Sequence, residues 1–484
     1  MSLTKVSYSM ITGAMVNVMD FGAVGDGIVD DAPALQAAIN YCQTVNQFGV
    51  ATVGYGRATL WFPSGVYLCK TPLIFYPFTN YVGVCSTTAN TSADFTALGD
   101  SRGTIIRAHT SLYNASAPVN SNARDGVLVQ VPTGDCFIEQ ITFVGTAAIN
   151  NNPSICIRFG DPTYANTCQG LSLQNLRLVA GRIGFDCYAS LIENGNRVYF
   201  ESCTTGIVSN AAYPFGSITV GDEFYFTNSY IGGHTNGIYV SNNSILKAYL
   251  TNFIFRPSDT TGKDITGDYS AICTMDINLA NCNFEIPFTG TAGTYSLDIR
   301  SFTDSTHKTK IKAANCTFHS PILIQKDSGG GSTDNKYVQF SNCAFDCSSV
   351  FVVFVNGVRF VSCEFDETVL DLRTARRTMV IANNFERVAN SPVITMLDGC
   401  NLSKVIANSV SDAVTSTYPT YSGTASTGIT VIGNDQNSGA NTNLQQVNLV
   451  QTPATPANFV ANQMIQLKDV TGVTYYVSAK SVAW

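Results

Sequence analysis

Charged residues recur at Arg197, Glu223, Lys247, Asp276 and Lys310, in steps of 24 to 34 residues, and two places after the first three stand Tyr199, Tyr225 and Tyr249. If successive steps lie side by side, the result is a row of alternating charge beside a row of phenol rings. An inverting glycosidase needs two carboxyl groups about 6.5 to 9.5 Å apart, one to protonate the leaving oxygen and one to activate a water held between them. Glu223 and Asp276 are two steps apart, which is about 9.6 Å when neighbouring backbones sit one parallel-strand spacing from each other. They form the expected acid pair, with Asp222 and Glu201 on the same face in reserve. Flat amphipathic rings suit sugar stacking, so Tyr199, Tyr225 and Tyr249 are expected to hold substrate together with Arg197, Lys247 and His234. A plainer reading stands beside this one: the charges are surface ion pairs of small value, and the tyrosines pack under loops or a neighbouring subunit. Lys247, lying between the two acids, would lower the pKa of a group that should keep its proton.

A second acidic set runs through Glu285, His319, Asp346, Asp366 and Glu386, with Glu364 two places before Asp366. Crowded carboxylates repel, so one of them can hold its proton near neutral pH. Asp346 and Asp366, one step apart, approach the separation used by retaining glycosidases. Glu285, Asp346, Glu364 and Asp366 are therefore the second choice, against a solvated acidic face or a metal site. An eliminating enzyme is the alternative chemistry. It would abstract a proton beside a uronate carboxyl, with Arg197, Lys247, Lys310 and Tyr225 as base and counter-cations. A glycan-binding adhesin without turnover would use the same tyrosines. The four histidines show no metal-ligand spacing, and no phosphate loop, nucleophile elbow or zinc signature is present. No cofactor is expected.

These rows exist only if the chain is a stacked coil. Twelve copies of one pattern fall at 140, 175, 202, 228, 252, 281, 315, 342, 362, 382, 407 and 433, counted at the second residue of a tight corner. Each has two apolar residues at alternate places, the corner, then two more at alternate places. That is the alternation of strands buried on one face. A unit so short cannot close a core alone, so the copies must stack and share an apolar column. The predicted fold is an all-β right-handed parallel β-helix, with Cys282, Cys316, Cys343 and Cys363 in one file, Phe284, Phe318, Phe345, Phe365 and Phe385 in another, and an amide ladder at Asn281, Asn315 and Asn342. Fifteen cysteines, mostly in inward slots, read as small buried hydrophobes and point to folding in a reducing cytosol. The net charge of −7 and the absence of a basic run argue against nucleic acid, and neither a signal peptide nor a membrane span is expected. The segment from Asp30 to Cys42 reads as a helix lidding the amino end, with Leu35, Ala38, Ile39 and Cys42 as its apolar face. The polar stretch from Ser86 to Gly103 is a candidate binding loop. The expected divisions are a linker over 1–19, the β-helix over 20–410 and a C-terminal β-rich region over 411–484, ending in two strands about a turn at Asp469 to Gly472.

The run Val16-Asn17-Val18-Met19-Asp20-Phe21-Gly22-Ala23-Val24-Gly25-Asp26-Gly27, then Asp30-Asp31, then Thr59-Leu60-Trp61-Phe62-Pro63-Ser64-Gly65-Val66-Tyr67, resembles the pectate-lyase-like β-helix family. With Leu3-Thr4-Lys5-Val6-Ser7-Tyr8 before it, the opening looks like that of bacteriophage tailspikes and capsule depolymerases. The resemblance implies a homotrimeric spike on the virion that binds and cleaves a bacterial surface polysaccharide. Such spikes usually begin with a virion-attachment domain. This chain is expected to lack one, so it has either been trimmed or joins the tail through a partner protein. The resemblance carries over no catalytic residue.

Overall fold

The computed structural model describes residues 15–44, 58–84 and 103–411 with internal gaps, the longer ones at 146–153, 161–167, 211–221, 268–273, 287–294, 302–309, 327–336 and 387–393; beyond 411 it describes only 420–422, 430–432, 435–437, 464–468 and 474–478. The chain winds into a right-handed parallel β-helix. A 28-stranded parallel sheet, here the corner sheet, carries the strands before and after each corner, and a 13-stranded parallel sheet, the back sheet, closes the coil. Parallel pairing already begins at Val16–Asn17, opposite Leu60 and Trp61, and runs on to Asp435–Asn437, past the boundary expected at 410.

The corner is the element that makes the repeat. At Gln140, Asn175, Asn228, Asn252, Asn281, Asn315, Asn342, Ser362, Ala382 and Ala407 the backbone turns with φ between 50° and 60°. A single left-handed residue redirects the strand, and asparagine tolerates that conformation best among residues with a side chain. Its amide then bonds the next coil: Asn252 Nδ2 donates to Asn228 Oδ1 (3.0 Å) and Asn315 Nδ2 to Asn281 Oδ1 (3.2 Å). The copy expected at 433 lies outside the described residues.

The third copy is out of place. Its corner is Arg197 (φ 55°), five residues before the expected origin at 202, and Ser202 makes a second bend (φ 54°) in line with Ala180. The cause is Gly195, which fills an inward slot opposite Phe226. A Cβ there would meet the Phe226 ring at 2.3 Å, so the ring occupies the space of the missing side chain. A slot without an apolar residue hides the true copy.

Inside, the files are continuous. Phe284, Phe318, Phe345, Phe365 and Phe385 stack with centroids 4.5 to 5.3 Å apart, and Phe255 extends the stack at 4.8 Å from Phe284. The thirteen described cysteines are buried thiols, with Cys282 N–H facing Cys316 Sγ at 3.4 Å. The helix α1, Ala32–Cys42, buries Leu35, Ala38, Ile39 and Cys42. Its N-cap Asp31 spends its carboxylate elsewhere, accepting from Val24 N and Gly25 N and so tying the incoming turn to the lid. Met464–Lys468 and Thr474–Ser478 pair antiparallel. The loop at 86–102 and the turn at 469–473 lie outside the described residues. Among the described residues no helix is long and apolar enough to cross a membrane.

Candidate functional site: the outer face of the back sheet

The expected row of charge is real over four coils. Glu223, Lys247, Asp276 and Lys310 are strand partners in that order. Lys247 Nζ stands 3.4 Å from Glu223 Oε2 and Lys310 Nζ 3.3 Å from Asp276 Oδ2. Each carboxylate also takes one neutral donor, Tyr225 Oη at 2.7 Å for Glu223 and Asn278 Nδ2 at 3.2 Å for Asp276. The two acids thus have like surroundings on an open face, and nothing sets one apart as acid and the other as base. Arg197 is not in this row, since it is itself a corner; Leu191 stands opposite Glu223.

The tyrosine file breaks for the same reason. Tyr225 and Tyr249 are partners, but Tyr199 lies beyond the corner, paired with Arg177 and Tyr230, with the Arg177 guanidinium 6.0 Å from its ring centroid. The Tyr225 and Tyr249 rings are parallel to within 3°, with centroids 4.6 Å apart. Since that distance is the coil spacing, the rings stand on edge, stacked along the axis. They turn faces to each other and edges to solvent, which is not the platform a sugar ring lies on.

The reserve residues also move. Asp222 is fully buried, its carboxylate taking Ser190 N (2.7 Å) and Ser209 Oγ (2.5 Å), so it does not border the tyrosine face. Glu201 is held by Arg177 and lies opposite Gly232, the partner of Arg256. It therefore heads the second acidic row. That row continues through Glu285, 3.8 Å from Arg256 Nε, His319 and Asp346, 3.2 Å apart, then Asp366 and Glu386. Asp346 keeps 57% of its side chain exposed, and among the described residues no group of three or more metal-ligand types converges. This is a solvated charged face. His234, expected as a glycan contact, has no exposed surface; Nε2 meets Asp264 Oδ1 at 2.9 Å, and burial pushes the Asp264 carboxyl up.

The concave site is on the other sheet, where no expectation was placed. Along the outer face of the back sheet the strand partners run Gln130, Arg158, Asp186, Val208, Tyr239, Thr266 and Asp298. Arg158, Asp186, Val208 and Tyr239 of this row floor a cleft of about 380 Å³, walled by Asp125, Arg182, Tyr188, Asn210 and Ser241. Arg158 lies at its base, 1% exposed. Its Nη2 meets Asp125 Oδ2 at 2.6 Å, its Nε meets Asp186 Oδ2 at 2.8 Å, and its guanidinium lies 5.6 Å from the Tyr188 centroid. Asn210 Nδ2 donates to the second oxygen of Asp186 at 2.6 Å. Burial pushes the Asp186 carboxyl up, against the pull of Arg158 and Asn210. A polar cleft on a rigid sheet, holding a buried cation between two carboxylates of unequal exposure, has the makings of an acid and base site. The sequence signal was present: Arg158 and Asp186 sit between the apolar pairs Ile157/Phe159 and Phe185/Cys187.

A family model described as rhamnogalacturonase A/epimerase, pectate lyase-like, matches residues 15–244, which takes in Asp125, Arg158, Asp186 and Tyr239. A glucan 1,3-beta-glucosidase of Cochliobolus carbonum is 37% identical over 67 residues, or 14% of this chain and 8% of that relative. Among solved structures, the A-module of an Azotobacter vinelandii mannuronan C-5 epimerase is 14% identical with a TM-score of 0.41, covering 87% of this chain and 99% of its own. The catalytic unit of an alpha-1,3-glucanase from Streptomyces thermodiastaticus is 11% identical with a TM-score of 0.45, covering 87% and 68%. The pre-mature gene product 12 of bacteriophage phi29 is 12% identical with a TM-score of 0.38, covering 90% and 58%.

Proposed function

We propose that this protein is an endo-acting glycoside hydrolase that cleaves a bacterial surface polysaccharide in the back-sheet cleft, working as a homotrimeric bacteriophage tailspike. The observation that carries the reading is the Asp125–Arg158–Asp186 group at the base of the cleft. Asp186, which burial disposes to hold a proton, donates to the departing glycosidic oxygen. Asp125, with 20% of its side chain exposed, activates the water. Arg158 fixes both carboxyl groups, and Tyr188 and Tyr239 bound the sugar. The matching family model, described by polysaccharide-modifying enzymes, supports the same substrate class, and the opening of the chain supports the tailspike setting. Elimination at a uronate is the second reading, favoured by Arg182 in the cleft wall, a cation that would pair with a uronate carboxyl.

Incubation with purified capsules and O-antigens, followed by mass spectrometry of the fragments, tests this. Hydrolysis adds water to each fragment; elimination leaves an unsaturated end that absorbs in the ultraviolet. Asp125→Asn and Asp186→Asn are each expected to lower cleavage by about 10²-fold or more. Undiminished cleavage in both variants would remove the cleft from consideration. Light scattering on the same sample reports the assembly, and a monomeric mass would refute the trimer.

A further inference from the structure

Asp222 is a carboxyl group with no exposed surface that the proposed chemistry does not use. It begins the strand Asp222–Thr227 of the corner sheet, and its two oxygens reach two different elements. Oδ1 takes the N–H of Ser190, the first residue of the long strand of the preceding coil. Oδ2 takes the hydroxyl of Ser209, the last residue of a back-sheet strand. Ser209 is the strand partner of Cys187, and the next residue, Asn210, donates its backbone N–H to Cys187 O at 2.7 Å and its side chain to Asp186. The chain of contacts therefore runs from Asp222 through Ser209 and Asn210 to the Asp186 carboxylate.

We propose that Asp222 is a positioning residue for the cleft: it pins the end of the Thr205–Ser209 strand so that Asn210 holds Asp186 in place, and its ionisation state controls that grip. This rests on the reading of the cleft given above. Protonated, Asp222 can donate one hydrogen bond and accept the others; ionised, it accepts only. The titratable groups facing it are Asp186, Cys187 and Cys168. Burial raises its pKa to about 7. The sign follows: the folded pKa lies above the unfolded value near 3.9, so the stability Asp222 contributes is complete below about pH 4 and is lost as pH rises through about 7.

The test uses the full chain with Asp222→Asn, which keeps the shape and the contact from Ser190 N and turns the Ser209 contact into one that the amide donates, and Asp222→Ala, which removes both. Wild type is expected to lose melting temperature relative to Asp222→Asn between pH 5 and pH 8. A crystal structure of Asp222→Ala is expected to show Asn210 released from Asp186. The alkaline limb of the pH profile of cleavage is expected to flatten in Asp222→Asn, which a merely structural role would not cause. An Asn210–Asp186 contact intact in Asp222→Ala, or an identical pH profile, overturns the proposal. If the wild type cleaves no glycan, the hydrolase reading fails, while the crystal structure and the melting series still decide the role of Asp222.

Discussion

Both sheets come from the same coils, yet they use them in opposite ways. Around the corner, each coil repeats its predecessor: Phe on Phe, Cys on Cys, Asn on Asn, with ring centroids near the strand spacing. On the outer face of the back sheet each coil differs from the last, and Arg158, Asp186, Val208, Tyr239 and Thr266 follow one another without repetition. Stacking like on like gives a column whose stability adds coil by coil. A binding surface needs unlike groups converging, which a strict repeat cannot supply. On the proposed reading, the repeat therefore marks where the chemistry is not.

The largest effect that would sharpen this contrast is Phe345→Ala. Phe345 is 1% exposed and stacks on Phe318 and Phe365. Truncation should cost about 3–5 kcal/mol from lost burial and the cavity left, read as a shift in the denaturant midpoint. A loss below about 1 kcal/mol would mean that the file tolerates gaps. In the cleft, Arg158→Met keeps the stem and removes the charge. It should cost about 3 kcal/mol, because Asp186 is left buried without its cation, and it should abolish cleavage as well. A stable, active Arg158→Met protein would erase the difference between the two sheets.

How far the sequence could be read follows from the same contrast. Ten corners, the stacked rings, the thiol file and the lid helix were legible because period-two burial and the corner recur. The third copy was not, because Gly195 leaves its slot without a side chain and Phe226 fills it from the next coil. From that one shift followed the misplacing of Arg197, Tyr199 and Glu201. The cleft went unread for a different reason. Asp186 and Tyr239 each follow their corner, Asn175 and Asn228, by eleven residues, but Arg158 follows Gln140 by eighteen and Asp125 lies ahead of that corner, so the group does not stand at one spacing. Arg158, Asp186 and Tyr239 share one mark, a polar residue between apolar neighbours as in Ile157-Arg158-Phe159, but many outward slots of the column carry it too, and Asp125, between Arg124 and Gly126, lacks it.

The smallest effect concerns the face chosen from sequence. Glu223→Gln removes the charge that meets Lys247 at 3.4 Å and keeps an acceptor for Tyr225 Oη. Lys247 keeps 49% of its side chain in solvent and Glu223 27%, so water and salt screen the pair. Double-mutant measurements on such pairs give about 0.2–1 kcal/mol, and stability should fall by no more than that, with the difference shrinking further as salt is added. Cleavage should be unchanged, because the residue lies on the corner sheet and the cleft is on the back sheet. Loss of cleavage in Glu223→Gln, with stability intact, would return the catalytic pair to the charged row. It would also show that a repeating face can carry chemistry after all, through alternation of charge rather than through a concave wall.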